Sequence, residues 1–220
     1  MAKIRTINDL QDAIDHSFSW RFFELTFLKK TINKASEKEK APILRAYVAL
    51  LYAHWEGFIK ESASIYKEYV LRKKKKYREV NKCFKYLAMK NDISEIYESK
   101  NSYENIKITE KFDSYFNNNE KVIFSTDVDT KSNLNSFVFS NIASEVGLDI
   151  YKYEPYYKLI DERLLKNRNE IAHGEYLNID IKLIDELHNE VVKIMRWFKD
   201  DIENYASEKK YLSIITTHQI

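Results

Sequence analysis

Residues 164–174 read Leu164-Leu165-Lys166-Asn167-Arg168-Asn169-Glu170-Ile171-Ala172-His173-Gly174, and the rest of the chain is best read outward from them. Leu164, Leu165 and Ile171 recur at helical spacing, Arg168 and His173 stand five positions apart, and Gly174 follows directly as a helix-ending C′ residue. Residues four apart on a helix share a face, so Asn169 and His173 are predicted neighbours, while Arg168 projects about 100° away from Asn169. His173 then occupies the last turn, where the final carbonyls lack backbone partners and the negative end of the helix dipole favours a cation. An imidazole at that post is well placed to carry a proton.

Composition bounds what surrounds this helix. A chain of 220 residues with 44% hydrophobic content can bury a large core in one domain. Three glycines and two prolines supply few of the turns that a sheet protein needs, so long helices are favoured and the fold class is all-α. With 36 basic and 34 acidic residues the net charge is +2, and no global field draws the chain onto nucleic acid; any such binding has to be local. The single cysteine, Cys83, excludes an internal disulfide and fits a reducing compartment. The first residues reach acidic side chains before any apolar core, and the longest uninterrupted apolar run, Ala46 to Ala53, falls short of the roughly 20 residues of a spanning helix. A soluble cytoplasmic protein with no membrane partner is expected.

In chain order, a first helix is predicted after Thr6, with Leu10, Ile14, Phe18, Phe22, Leu25, Leu28 and Ile32 on its buried side. Ser36 with Glu39 forms a capping box for a second helix, and Pro42 suits its opening turns. Ile43, Tyr47, Leu50, Leu51, Phe58, Ile65 and Tyr69 make this helix a central beam of about 45 Å. Gly57 lies in its middle, where it costs roughly 1 kcal/mol relative to alanine unless a neighbour approaches closely. Beside it stand His54, Glu56 and Lys60. Glu56 is either a solvated charge paired with Lys60 or the carboxylate that positions Arg168; His54 is either a rim residue of the core or a support of the site.

The beam ends in Arg72-Lys73-Lys74-Lys75-Lys76-Tyr77-Arg78. Such a run offsets the helix dipole, or it serves as a phosphate-contacting arm for RNA on which Tyr77 stacks a base. Residues 79–150 are expected to form an irregular insert: short helices around Cys83 to Ile96, and strand or extended loop at Ile106-Lys107-Ile108 and Val122-Ile123-Phe124. Asn133 is the expected cap of a helix ending at Gly147, with Phe137, Ile142 and Val146 facing inward. After Pro155 the motif helix carries Leu159, Ile160, Leu164, Leu165 and Ile171 inward. Asp180 or Asn178 caps a last long helix bearing Leu183, Ile184, Leu187, Val191, Ile194, Met195, Phe198, Ile202 and Tyr205. Residues 207–220 are read as a tail or a subunit contact.

The chemistry on offer is narrow. The five histidines, at 16, 54, 173, 188 and 218, never pair at metal-ligand spacing, and no glycine-rich phosphate loop or nucleophile elbow is present. No metal and no cofactor are expected. Arg168 and His173, with Asn169 beside them, are the catalytic candidates: a guanidinium can bind paired phosphate oxygens, and an imidazole can move protons near neutral pH.

The pattern arginine, polar residue, any three residues, histidine resembles the signature of the HEPN superfamily, many of whose members are metal-independent endoribonucleases. Ile171-Ala172-His173-Gly174 after Leu164-Leu165-Lys166-Asn167 resembles its bacterial MAE-like branch. Arg45-Ala46-Tyr47 through His54-Trp55-Glu56-Gly57-Phe58 is similar to the second HEPN helix, and Lys131-Ser132-Asn133-Leu134-Asn135 to the segment that precedes the motif helix in that branch. The resemblance covers about residues 40–205. It implies an antiparallel helical bundle, cleavage of RNA by its own 2′-hydroxyl, a homodimer that brings two motifs into one cleft, and a toxin or phage-defence role restrained by an antitoxin or other regulatory protein. The competing reading is a noncatalytic helical module that binds a nucleotide or protein partner; a DNA-binding regulator has less support, because no recognition-helix turn stands out.

Overall fold

The computed structural model describes residues 3–99, 101–117 and 120–213, with the side chain of residue 116 left aside. Among the described residues seven α-helices follow one another: α1 (Ile7–Lys34), α2 (Glu37–Arg72), α3 (Lys82–Glu98), α4 (Ser102–Asn117), α5 (Ser136–Glu145), α6 (Lys166–Ala172) and α7 (Ile181–Ser207). Among the described residues there is no strand, only isolated bridges joining Lys76 to Lys121 and Val80 to Leu212. The all-α class expected from the scarcity of turn residues is what the structure shows.

Local signals set the long helices. The Thr6 hydroxyl accepts from the Asp9 N–H while the Asp9 carboxylate accepts from the Thr6 N–H, a reciprocal cap that fixes the start of α1. At the start of α2 the Glu39 carboxylate accepts from both the Ser36 N–H and hydroxyl, and the Asp180 side chain accepts from the Leu183 N–H to open α7. Paired contacts then give directions. Ser17 meets Glu61, Phe18 meets Phe58 and Glu24 meets His54, so α1 and α2 are antiparallel. Asp15 meets Lys199 and Lys29 meets Asp185, so α7 is antiparallel to α1 as well.

The beam α2 is buried on nearly every side, with Tyr47, Leu51, Tyr52, Trp55, Phe58, Ile59, Tyr66 and Val70 all sealed from water. Phe139 of α5 wedges between Trp55 and Phe198, with ring centroids at 5.1 and 5.8 Å, so the end of the middle region enters the core. The buried Lys67 ammonium donates to Glu145 at 2.7 Å and ties α2 to α5. Gly57 repays its cost through a side chain: a methyl group added there would stand 3.2 Å from Nη2 of Arg21, which is itself buried and bonded to Ser17 and Glu61.

Several expectations for the middle of the chain need correction. Residues 82–98 form one continuous helix, and Ile106-Lys107-Ile108 lie within α4, where only Ile108 is buried. Val122 to Phe124, by contrast, is loop, one of the two states expected, with the Val122 N–H bonding to the Lys75 carbonyl. Asn135, not Asn133, caps α5, accepting from the Val138 N–H, and that register turns Phe137 outward at 71% exposure while Ile142 and Val146 stay inside. The closing segment packs back as far as Ser213, with Tyr211 edge-on to Tyr69 and the Ser213 N–H on the Glu79 carbonyl; residues 214–220 lie outside the described part. No helix among the described residues is long and apolar enough to cross a membrane.

One buried polar pair joins α2 to α7. The Tyr47 hydroxyl and Nδ1 of His188 share a hydrogen bond, and burial, aided by nearby Lys29 and Arg196 against the pull of Asp185, pushes His188 down to about 4. A histidine neutral in the fold but protonated when unfolded contributes stability above about pH 6.5 that is lost as pH falls toward 4. Urea unfolding should therefore show wild type losing roughly 3 kcal/mol more than His188→Gln over that interval; equal losses would contradict the assignment.

Candidate functional site

The helix that bears the motif has three ladders. A 3₁₀ turn at Glu154–Tyr156 leads through residues 157–158 into a π-helix at Leu159–Leu165, and the regular α-helix runs only from Lys166 to Ala172. Bonds closed from i to i+5 bring residues four and five apart to one side, and Ile160, Leu164 and Leu165 are accordingly all buried. The Asp161 carboxylate accepts from the Ser136 N–H and hydroxyl, which fixes this widened turn against the start of α5.

Helix α6 ends in a Schellman motif. The Gly174 N–H bonds to the Ile171 carbonyl and the Glu175 N–H to the Glu170 carbonyl, with Gly174 at φ +80°. His173 is the C-cap residue, exposed, with no side-chain hydrogen bond or ion pair among the described residues.

Arg168 is held far more closely. Its guanidinium carbon lies 4.0 Å from the centroid of the Tyr52 ring, Nη1 donates to Asn169 Oδ1 at 2.8 Å, and Nη2 donates to the Ser132 carbonyl at 3.3 Å. Glu56 Oε2 is 3.9 Å from Nη2, so the carboxylate faces Arg168. Tyr52 is fixed in turn by the Leu134 N–H, which donates to its hydroxyl at 2.6 Å. Burial pushes that phenol up to about 12, reinforced by Glu56 and opposed by the Leu134 bond and Arg168, so it stays protonated near neutral pH. A cation seated on an aromatic face and bonded on two edges is pre-oriented, and its remaining N–H groups are available to an anion.

The structure therefore brings Arg168, Asn169 and Glu56 together and leaves His173 and His54 apart from them. Asn169 turns its amide oxygen to Arg168, while its backbone carbonyl accepts from the His173 N–H. Five residues of helix separate Arg168 from His173 by about 140° around the axis, so within one chain the two diverge. His54 lies on the other side of α2 from Glu56. It is buried edge-on to Trp20 and 3.0 Å from Glu24, and burial holds it below the usual histidine range against the pull of that carboxylate. It supports the α1–α2 packing, and its expected support of the motif is corrected accordingly.

The basic run is mostly tied down. Arg72 pairs with Glu68, the Lys73 ammonium donates to the Arg5 carbonyl, and Lys75 lies 3.6 Å from Glu79, while Lys74 and Arg78 are exposed. Tyr77 is 4% exposed and stacked on Tyr115, so it cannot serve as the base platform expected of it. Sequence reasoning also passed over Tyr52, whose position four before Glu56 on one helical face was the available signal. No group of three or more His, Cys, Asp or Glu residues suited to a metal ion is found among the described residues.

A family profile described as RiboL-PSP-HEPN matches residues 16–204, from the third turn of α1 to the last turns of α7. The chain belongs to the RiboL-PSP-HEPN family. HEPN domains are helical bundles and commonly RNases, and the RiboL-PSP-HEPN match takes in the middle helices α3 and α4 as well as the motif helix. Searches of the curated proteins and of the solved structures give no match.

Because Gly174 occupies the left-handed region, Gly174→Ala should cost about 1 kcal/mol and lower the thermal midpoint by roughly 2–4 °C. His173→Ala, which removes an exposed ring without partners, should leave the midpoint within about 1 °C. Calorimetry checks both, and a large loss in the second variant would reveal a structural role for the imidazole.

Proposed function

We propose that this chain is a metal-independent HEPN-type endoribonuclease that works as a cytoplasmic homodimer on RNA, as a toxin or phage-defence effector restrained by an antitoxin or other regulatory protein. The observation that carries the reading is the contrast at α6: Arg168 is locked on Tyr52 between Asn169 and Ser132, while His173 stands exposed and unengaged one turn on. A phosphate needs a fixed cation, and a proton carrier needs access. The likeness of residues 164–174 to the MAE-like branch supports the same assignment.

In this reaction the substrate supplies the nucleophile. The 2′-oxygen attacks phosphorus as His173 takes its proton, the bond from phosphorus to the 5′-oxygen breaks, and a protonated imidazole returns a proton to the leaving oxygen. The products are a 2′,3′-cyclic phosphate and a 5′-hydroxyl. Arg168 binds the nonbridging oxygens, where charge builds in the transition state, with Asn169 and Glu56 fixing its angle. One imidazole cannot start as both base and acid, and Arg168 and His173 diverge within a chain, so a second copy completes the cleft. The basic run contributes through Lys74 and Arg78, exposed and without an ion pair among the described residues, with Arg72, Lys73, Lys75 and Lys76 adding a weaker field.

Purified protein should cleave single-stranded RNA in excess EDTA, and His173→Ala or Arg168→Ala should lower the rate by roughly 10²–10⁴-fold. Light scattering should give a dimer mass. No cleavage at any protein concentration, or equal cleavage by His173→Ala, would favour the noncatalytic binding module instead.

A further inference from the structure

Arg45, Tyr52 and Glu56 occupy one line along α2. Spacings of seven and eleven residues bring each back to within about 20° of Tyr52 or Arg45, and Arg45 lies on the order of 10 Å along the axis from Tyr52. Tyr52 and Glu56 are the residues that hold Arg168. Arg45 has a ring of its own: its guanidinium carbon is 5.0 Å from the centroid of Tyr176. Tyr176 follows His173 by three positions, just past the Gly174 turn, and is 81% exposed. The same face of the beam thus carries two arginine and tyrosine pairs, with the partners exchanged. At the motif the tyrosine is buried on α2 and the arginine comes from α6; at the second pair the arginine is on α2 and the tyrosine is the exposed member.

An aromatic ring left in water beside a catalytic residue has lost the burial that usually accounts for such a side chain. The Arg45 cation has no carboxylate within ion-pair distance among the described residues, and it steadies the ring from one side. What remains is an open π-face a few residues from the proposed proton carrier. A nucleobase is the ligand such a face takes, because every base offers a π-face of its own.

We propose that Tyr176 and Arg45 form a base-binding subsite for RNA beside the scissile phosphate, with Tyr176 stacking on a flanking base and Arg45 holding the ring while its free N–H groups meet the neighbouring phosphate. This rests on the ribonuclease reading of Arg168 and His173 and names how the substrate is held there. Stacking recognises any base, so the subsite sets register along the strand and not sequence preference.

The test uses the full chain carrying His173→Ala, so that RNA is bound without being cut, and follows a fluorescent single-stranded RNA by anisotropy. Adding Tyr176→Ala should weaken binding roughly 5- to 150-fold, Tyr176→Phe should restore it, and Arg45→Ala should weaken it as well. An abasic nucleotide beside the cleavage position should weaken binding to the tyrosine protein and have no further effect with Tyr176→Ala. If the parent binds RNA and Tyr176→Ala binds equally well, the subsite is wrong while the nuclease reading stands. If Tyr176→Ala lowers the dimer mass, the ring is a subunit contact and the subsite is overturned. If the parent binds no RNA even at low salt, both fall together.

Discussion

Everything at the motif depends on one contact, the guanidinium of Arg168 lying on the ring of Tyr52. It joins a seven-residue helix, too short to be stable alone, to a 36-residue helix that the core surrounds. The Leu134 N–H pins the phenol from one side and Glu56 faces the cation from the other, so the arginine inherits the rigidity of α2. Behind that beam, Gly57 opens the space in which Arg21 seats against Ser17 and Glu61, and His54 meets Glu24 across the same boundary. The buried polar groups on the α1 side of α2 thus hold the beam in place for the pair on its α6 side.

The parts of this arrangement that are local were legible in the sequence. Thr6, Ser36 with Glu39, Asp180 and Gly174 act through the backbone within a few residues, and each ends or begins a helix where its chemistry places it. Periodicity identified the faces of α1, α2 and α7 because those helices run long enough for a stripe to repeat. Met195 is buried and Trp197 partly so against the core, as packing residues should be.

What could not be read depends on partners distant in sequence. Asn133 and Asn135 are equally good caps by type, and the choice rests on Asp161 reaching Ser136 from another helix. Tyr77 looks like a free ring beside cations until Tyr115, from α4, covers it. His54 and Glu56 sit two residues apart, which places them on opposite sides of a helix, yet only the positions of α1 and α6 assign one to packing and the other to the motif. The π-turn before Lys166 has no compositional signature, since any apolar run admits it.

The chemical account holds that the chain supplies a fixed cation and a mobile proton, and that RNA supplies the attacking oxygen. The measurement that bears on this most directly is cleavage of one oligonucleotide with a single 2′-deoxy substitution at its main cleavage position. The account predicts that this bond survives while neighbouring ribose positions are still cut and the oligonucleotide still binds. Cleavage at the deoxy position at the parent rate would show that the nucleophile comes from elsewhere and would contradict it.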